Sequence, residues 1–535
     1  MGVYIFMDIL PDNIGKKEWE RVYQESLDLI NAYPFMDSTI DNETYGVPWR
    51  YVHRPKEEEI EIGYNKEFHL GWHVFGDYNT MLSAESFSLF RNIESYREEI
   101  NTNEHSDDIL AALINQKVFH NQEKFRIPVN STRVFDGKTQ GLPYHIYLLA
   151  VACLLESRFP KQVAVQGDIS IGQMKKAIDW ANTILHKPIQ LTERVNNKRL
   201  LDRIRDIVRN DVTALKSFMR LIMHENNFAL GEFVRDQFCP STISAYYTER
   251  FNEYDVNMAG FHDLLSSFFN LGFGIETACD IGVLDPDGCR YNAKDFAETV
   301  LSMGWIGGEN YAENVMPLAH NDPESEEPET VHSQFGKALI KMSGFQEHIK
   351  SNLSLDDVGA ILQSKLGHLV EIEPLLNHEK NENDRELDTT AELFSRLMED
   401  TAEERSESPE YTIDDPDYLI LWKKEDHLHP RIEDGIKRLK EFISEFIKNN
   451  SDLFDEFHRN TDREKIQKLI KANTYFHIRK ETWDYYIENL YQTDMINAVL
   501  CILGIKAEEI SINRFCKAVV NNVDLLQEYI LNPKS

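Results

Sequence analysis

Asp136, His145 and Asp168, all in the first third of a 535-residue chain, are the side chains best suited by type and setting to acid–base work. Asp136 and His145 belong to a polar group with Lys138, Gln140 and Tyr144, just ahead of the apolar run Ile146–Leu155. Polar residues at the mouth of a buried helix can line a pocket. Asp168 stands in Gly167-Asp168-Ile169-Ser170, between an expected strand (Gln162–Gln166) and an expected helix (Ile171–Leu185). Ligands collect at the carboxyl ends of strands in open α/β sheets, and helix N-termini attract anions. If the strand ends are neighbours, the three residues make a catalytic set for a hydrolase or phosphotransferase. A plainer reading competes with this. The loop has one glycine where a dinucleotide fingerprint has three, Asp168 would repel a phosphate, and Ser170 and Gln173 have capping-box spacing.

Other chemistry is weaker. His53, His69, His73 and Asp77 crowd a region that reads as strands. His69 and His73 share a face there, but at about 13 Å apart on an extended chain they cannot ligate one metal. Gly71 and Gly76, with Trp72, Val74 and Phe75, argue against the helix that would bring them together. Satisfied or solvated histidines are therefore expected, and no metal. The string Gly137-Lys138-Thr139 fails as a P-loop because Thr132 occupies the position of the first glycine. The six cysteines form no CxxC pair and show no zinc spacing. There is no GxSxG, HExxH or EF-hand loop, and Asp285-Pro286-Asp287-Gly288 reads as a turn. No cofactor is expected.

Aromatic side chains gather near the C-terminus: Trp422, Tyr475, Phe476, Trp483, Tyr485, Tyr486 and Tyr491. Adjacent tyrosines cannot both face one core. With Trp483, Ile487, Leu490 and Tyr491 inward, Tyr485 falls near the opposite side and becomes the candidate contact for a partner.

The elements that must position these residues follow from periodicity. Val3–Leu10 reads as a buried strand. Trp19, Val22, Tyr23, Leu27 and Ile30 mark a helix ending near Pro34. Strand-like runs follow at Trp49–His53, Glu59–Tyr64 and His69–Phe75, then a helix over Met81–Tyr96 and the apolar helix Leu142–Leu155. Gln162–Gln166, Ile171–Leu185 and Ile189–Leu191 suggest a right-handed strand–helix–strand crossover. An α/β unit with a small mixed sheet is therefore expected over 1–195. A helical unit over 196–398 carries stripes such as Phe261, Leu264, Leu265, Phe268 and Phe269, and another at Phe335, Leu339 and Met342. Asn321–Glu329 has five carboxylates and no base; Glu399–Asp417 has nine against Arg405. The first reads as a loop, and 399–417 as an acidic linker. Ile432, Ile436, Leu439, Phe442, Ile443 and Phe446 open a helical bundle over 418–535, with stripes enough for mutual burial. The expected class is α+β, predominantly helical.

Bulk composition narrows the function classes. Lys and Arg total 57 against 90 Asp and Glu, a net charge of −33, which argues against broad nucleic-acid binding and suits a basic protein partner. A local basic patch, Lys198, Arg199, Arg203, Arg205 and Arg209, reads as a solvated helix face. No apolar run is long enough to span a bilayer, and dispersed cysteines suit a reducing compartment, so the expected place is the cytoplasm. The leading expectation is a non-enzymatic binding or scaffold protein that engages a protein partner. The alternative is the hydrolase or phosphotransferase built on Asp136, His145 and Asp168.

Overall fold

Strand β1 (Tyr4–Ile9) is the centre of a three-stranded sheet, flanked by β7 (Thr132–Lys138) and β8 (Val163–Gly167). Ile5, Met7 and Ile9 alternate toward a core shared with Trp19, Val22 and Tyr23 of α1 (Lys16–Ala32) and with α3 (His145–Arg158) and α4 (Ile171–Asn182). Nearly every residue of α3 is buried, which its all-round apolar sequence requires. The computed structural model describes residues 3–62, 67–97, 106–115, 131–223, 227–303, 305, 349, 353–381, 411–505 and 510–532. The acidic loop 321–329, the stripe at Phe335, Leu339 and Met342, and residues 399–410 of the expected linker lie outside them.

The second sheet has five strands: β2 (Phe35–Asp41), β3 (Trp49–His53), β4 (Glu58–Ile62), β5 (Glu67–Asp77) and β6 (Ser83–Phe90). Their order is β3-β2-β5-β4, with β6 also paired to β5. The fold is thus α+β and mostly helical, but both sheets are antiparallel where a mixed sheet was expected. The crossover does not form. β8 runs antiparallel to β1, and Ile189–Leu191 is not a strand. The reason is local: Asn182 takes both backbone groups of Ile189, accepting from its N–H (2.7 Å) and donating to its carbonyl (3.0 Å). Nor is Met81–Tyr96 a helix. Asp77 accepts from the Thr80 backbone and hydroxyl (2.6 and 2.8 Å), closing a turn into β6, where Phe87 and Leu89 alternate inward.

The middle of the chain is helical. Arg203 of α5 (Asn197–Ile207) reaches Asp108, which precedes α2 (Ile109–Asn115). α6 (Asp211–Leu221), α7 (Phe228–Gln237), α8 (Pro240–Phe251), α9 (Ala259–Asn270), α10 (Ile275–Cys279) and α11 (Ala293–Leu301) follow. α12 (Leu355–Leu366) and a helix over 372–381, α13, complete the unit. Its aromatic core centres on Tyr247, Phe251, Phe261 and Phe268.

The C-terminal helices are α14 (Pro430–Asn449), α15 (Ser451–His458), α16 (Asp462–Ala472), α17 (Lys480–Glu488), α18 (Thr493–Gly504) and α19 (Ile510–Asn521). Val523–Leu525 then runs into a π turn at Leu526–Leu531. They do not close a core by themselves. Met36, Trp49, Val52 and Phe75 of the second sheet share one core with Ile436, Trp483, Tyr486 and Ile496. The Val52 amide donates to the Ile478 carbonyl (2.9 Å), and Arg479 donates to the carbonyls of Tyr78 and Asn79. The described end of the acidic segment is tied down as well. Ile413 is buried against Leu428, and Arg514 holds Asp415 and Asp417.

Candidate functional site

Asp136, His145 and Asp168 serve three different surroundings. Asp136 lies opposite Phe6 in the β1–β7 register, exposed, with Arg133 at 3.9 Å. Asp168 extends the β1–β8 pairing: its carboxylate accepts from the Tyr4 amide, and its own amide donates to the Tyr4 carbonyl, both at 3.1 Å. His145 opens α3 wholly buried, its Nδ1 sharing a 2.5 Å hydrogen bond with the Thr139 hydroxyl. Burial pulls its imidazole down to about 4, against a smaller opposing pull from Gln173. A ring with no exposed surface cannot trade protons with a solvent-borne substrate. Neither principal cavity is lined by any of the three residues. Ser170 and Gln173 do form the capping box.

The buried polar chemistry of this half lies elsewhere, on residues that sequence reading passed over. Asp8, fully buried on β1, accepts from Arg133 Nε (2.9 Å) and Gln166 Nε2 (2.8 Å); burial raises its carboxyl despite those partners. β8 is an edge strand, and Arg194 covers its free side, donating to the carbonyls of Val165 (2.7 Å) and Leu221 (2.9 Å). Beside it Glu156 of α3 is pushed up to about 8 by burial, while Arg194 pulls the other way. Glu156 and Arg194 line a cavity of about 280 Å³ whose other cations are largely committed: Arg203 to Asp108 and Glu193, Arg158 to Glu25. Arg203, expected on a solvated face, is turned inward to this network. It is a braced interior more than an open site.

The histidine strands separate into two groups. Asp77 takes the Tyr33 hydroxyl and the Thr80 turn, and His69 rests near Glu67 and the Phe90 ring. His53 and His73 instead converge on Asp37 of β2.

The larger of the two cavities, about 1080 Å³, is an apolar groove between α14, α15 and the far ends of α16, α18 and α19. α14 builds it by carrying two apolar faces. Ile432, Ile436 and Ile443 point into the core, while Phe442, next in sequence to Ile443 and so ~100° round the helix, points into the groove with Phe446. Phe442, Phe446, Leu453 and Ile512 are 50, 39, 54 and 38% exposed. Phe442 stacks on Phe446, which meets Phe454 edge-on at 6.3 Å. Gly435 leaves space for Phe515; a Cβ there would sit 2.4 Å from that ring. The rim mixes signs, Arg431, Arg438 and Lys468 against Asp434 and Glu456, with Arg438 paired to Asp434 at 2.5 Å. In the sequence the six apolar positions of α14 read as one stripe. The signal that they form two faces is their width, ~120° from Phe442 to Ile436 at 100° per residue.

Tyr485 of α17 is half-buried, and its hydroxyl accepts from Gln527 Nε2 (3.0 Å) in the π turn that packs over it. Its neighbour Tyr486 is wholly buried and donates to the Val520 carbonyl (2.9 Å). Tyr418, Tyr475 and Tyr491 are exposed in this region. No protein-family model, no curated protein and no solved structure matches this chain.

Proposed function

We propose that this protein is a binding or scaffold protein of the cytoplasm whose C-terminal groove receives an amphipathic helix from a protein partner. The exposed apolar lining of that groove carries the reading. Unpartnered phenylalanines in a concave surface cost free energy that a second apolar face would recover. Shape favours a helix. The lining runs along α14 from Arg431 to Phe446, ~22 Å at 1.5 Å per residue, which matches about four turns of a partner helix. The volume of about 1080 Å³ lies above the usual span of small-molecule sites, ~300–1,000 Å³. The net charge of −33 favours encounter with a basic partner, and the mixed rim would set the orientation. Free cysteines, four of them buried, support a reducing compartment. Among the described residues no helix is long and apolar enough to cross a membrane.

The test compares the full chain with Phe442→Asp/Phe446→Asp. A partner enriched by the native chain should contain an amphipathic helix that, as a synthetic peptide, binds the native chain and loses at least tenfold in affinity for the variant. Saturation of the groove by a fatty-acid probe with no competing peptide would overturn the helix reading. So would self-association abolished by the same substitutions, which would make a second copy the occupant.

A further inference from the structure

The second sheet gathers metal-ligating side chains at a place unrelated to the groove. Asp37 on β2 lies directly opposite His53 on β3, and β4 begins at Glu58. One ligand atom from each of the three falls within 4.8 Å of the others. Tetrahedral zinc with ligands at about 2.0–2.1 Å holds them ~3.3–3.5 Å apart, so small side-chain rotations close the set.

Three details distinguish this cluster from a chance meeting of polar groups. Asp37 is 1% exposed, and its Oδ2 has no hydrogen-bond partner. Its other oxygen is held twice, by His73 Nδ1 and by the Ser38 amide, each at 2.7 Å. A buried carboxylate oxygen left unpaired is costly, and a cation satisfies it. Second, His53 has its tautomer chosen for it. Its Nδ1 lies 2.7 Å from the Arg54 carbonyl, which can only accept, so Nδ1 carries the proton and the Nε2 lone pair faces inward. Metal-bound histidines are oriented in this way, with the second nitrogen donating to a carbonyl. In the structure Nε2 shares a hydrogen bond with the Thr39 hydroxyl at 2.7 Å, a weak competitor for a cation. Third, Glu58 and His53 are only half-buried, so an ion can enter from solvent. Among the described residues the cation paired with Glu58 is Lys56 at 3.3 Å, largely exposed and easily displaced.

We propose that Asp37, His53 and Glu58 bind a divalent transition-metal ion, with zinc as the preferred occupant and His73 positioning Asp37 from behind. Two carboxylates and a neutral imidazole offset the charge of a divalent ion. The imidazole favours zinc over magnesium or calcium, and three protein ligands leave a position for water. The ion would clasp β2, β3 and β4 beside the seam where the second sheet meets the C-terminal helices.

The test uses the full chain stripped with a chelator and titrated calorimetrically with Zn²⁺ in a large excess of Mg²⁺, which occupies the many exposed carboxylates. One zinc per chain should bind. His53→Gln and Glu58→Gln should each weaken it at least tenfold, with the circular dichroism spectrum unchanged. His73→Gln should weaken it less, through loss of the bond that orients Asp37. Asp37→Asn is left as a second measurement because its burial risks the fold. Three results would overturn the assignment: no saturable zinc binding in excess Mg²⁺, affinity unchanged in both ligand variants, or binding that follows Cys239→Ser. Cys239 is the exposed thiol, drawn down to about 7 by Ser241 and Thr242.

Discussion

The two ends of this molecule handle awkward side chains in opposite ways. Around α3 and β8, polar and charged groups are taken inside: His145, Glu156, Arg194 and Asp8 are all buried. Around α14, apolar groups are left outside: Phe442, Phe446, Leu453 and Ile512 line an open groove. Both arrangements cost free energy in the isolated chain, but they are relieved differently. A buried charge is satisfied by neighbours in its own fold, so it reports on stability and pH. An exposed phenylalanine in a groove is satisfied only by something that arrives, so it reports on binding. Density of titratable groups is therefore a poor guide to function here.

The largest expected effect tests the interior. Arg194→Met removes the donors that cover the β8 edge and leaves the carbonyls of Val165 and Leu221 without their charged partner. A loss of about 3–5 kcal/mol is expected in urea unfolding, the usual result of breaking a buried charged contact. A loss below about 1 kcal/mol would mean that Arg194 covers the edge without stabilising it.

The next effect is a pH dependence with two opposed parts. His145, held down to about 4 by burial, stays neutral in the fold while the unfolded chain takes up a proton below its ordinary value of 6.5. Its contribution is present above 6.5 and is lost as pH falls toward about 4. Glu156, pushed up to about 8 from its ordinary 4.5, keeps its proton in the fold while the unfolded chain releases one. Its contribution is present below 4.5 and is lost as pH rises through about 8. Between 4.5 and 6.5 the two slopes, each about 1.4 kcal/mol per pH unit, oppose one another. From 6.5 to 8 His145 no longer contributes, and the Glu156 part of native stability should fall by on the order of 2 kcal/mol across that window. The Glu156→Gln variant should lack that fall. Identical pH profiles for the native chain and the variant from 6.5 to 8 would refute the buried, protonated carboxyl.

The smallest effect tests the groove. Ile436→Ala, on the core face of α14, should cost about 2–5 kcal/mol, whereas Phe442→Ala on the groove face should change stability by no more than about 0.5 kcal/mol. The contrast is read from paired thermal melts. Comparable losses would make Phe442 a core residue and remove the basis for a docking surface.

Where local pattern and local chemistry agreed, sequence reading held. The β1 strand, the largely buried α3 and the Ser170–Gln173 cap depend on residues within a turn or two of each other. It failed where a group outside the local pattern decided. Ser83–Phe90 has enough apolar residues for either element, and pairing with β5 makes it a strand. Ile189–Leu191 has strand composition, but the Asn182 side chain reached its backbone first. Tyr485 was expected opposite the core face of its helix, but it is half-buried; the Gln527 turn that covers it lies 42 residues away. The histidines at 53 and 73 were visible, but the periodicity marked no strand at Asp37, which joins them.

The sequence by itself determined the class of the fold, the helical middle and C-terminus, the strongly acidic charge and the absence of any common catalytic signature. These follow from composition and from periods of two and 3.6 residues, which need no knowledge of what lies across the core. Only the tertiary structure decided which strands pair, that the C-terminal helices share their core with the second sheet, and which face of α14 is left open. It also decided that Asp37 meets His53 with one oxygen unclaimed. Each of these depends on groups brought together across tens or hundreds of residues, and hydrophobic burial, being non-directional, does not specify such meetings in advance.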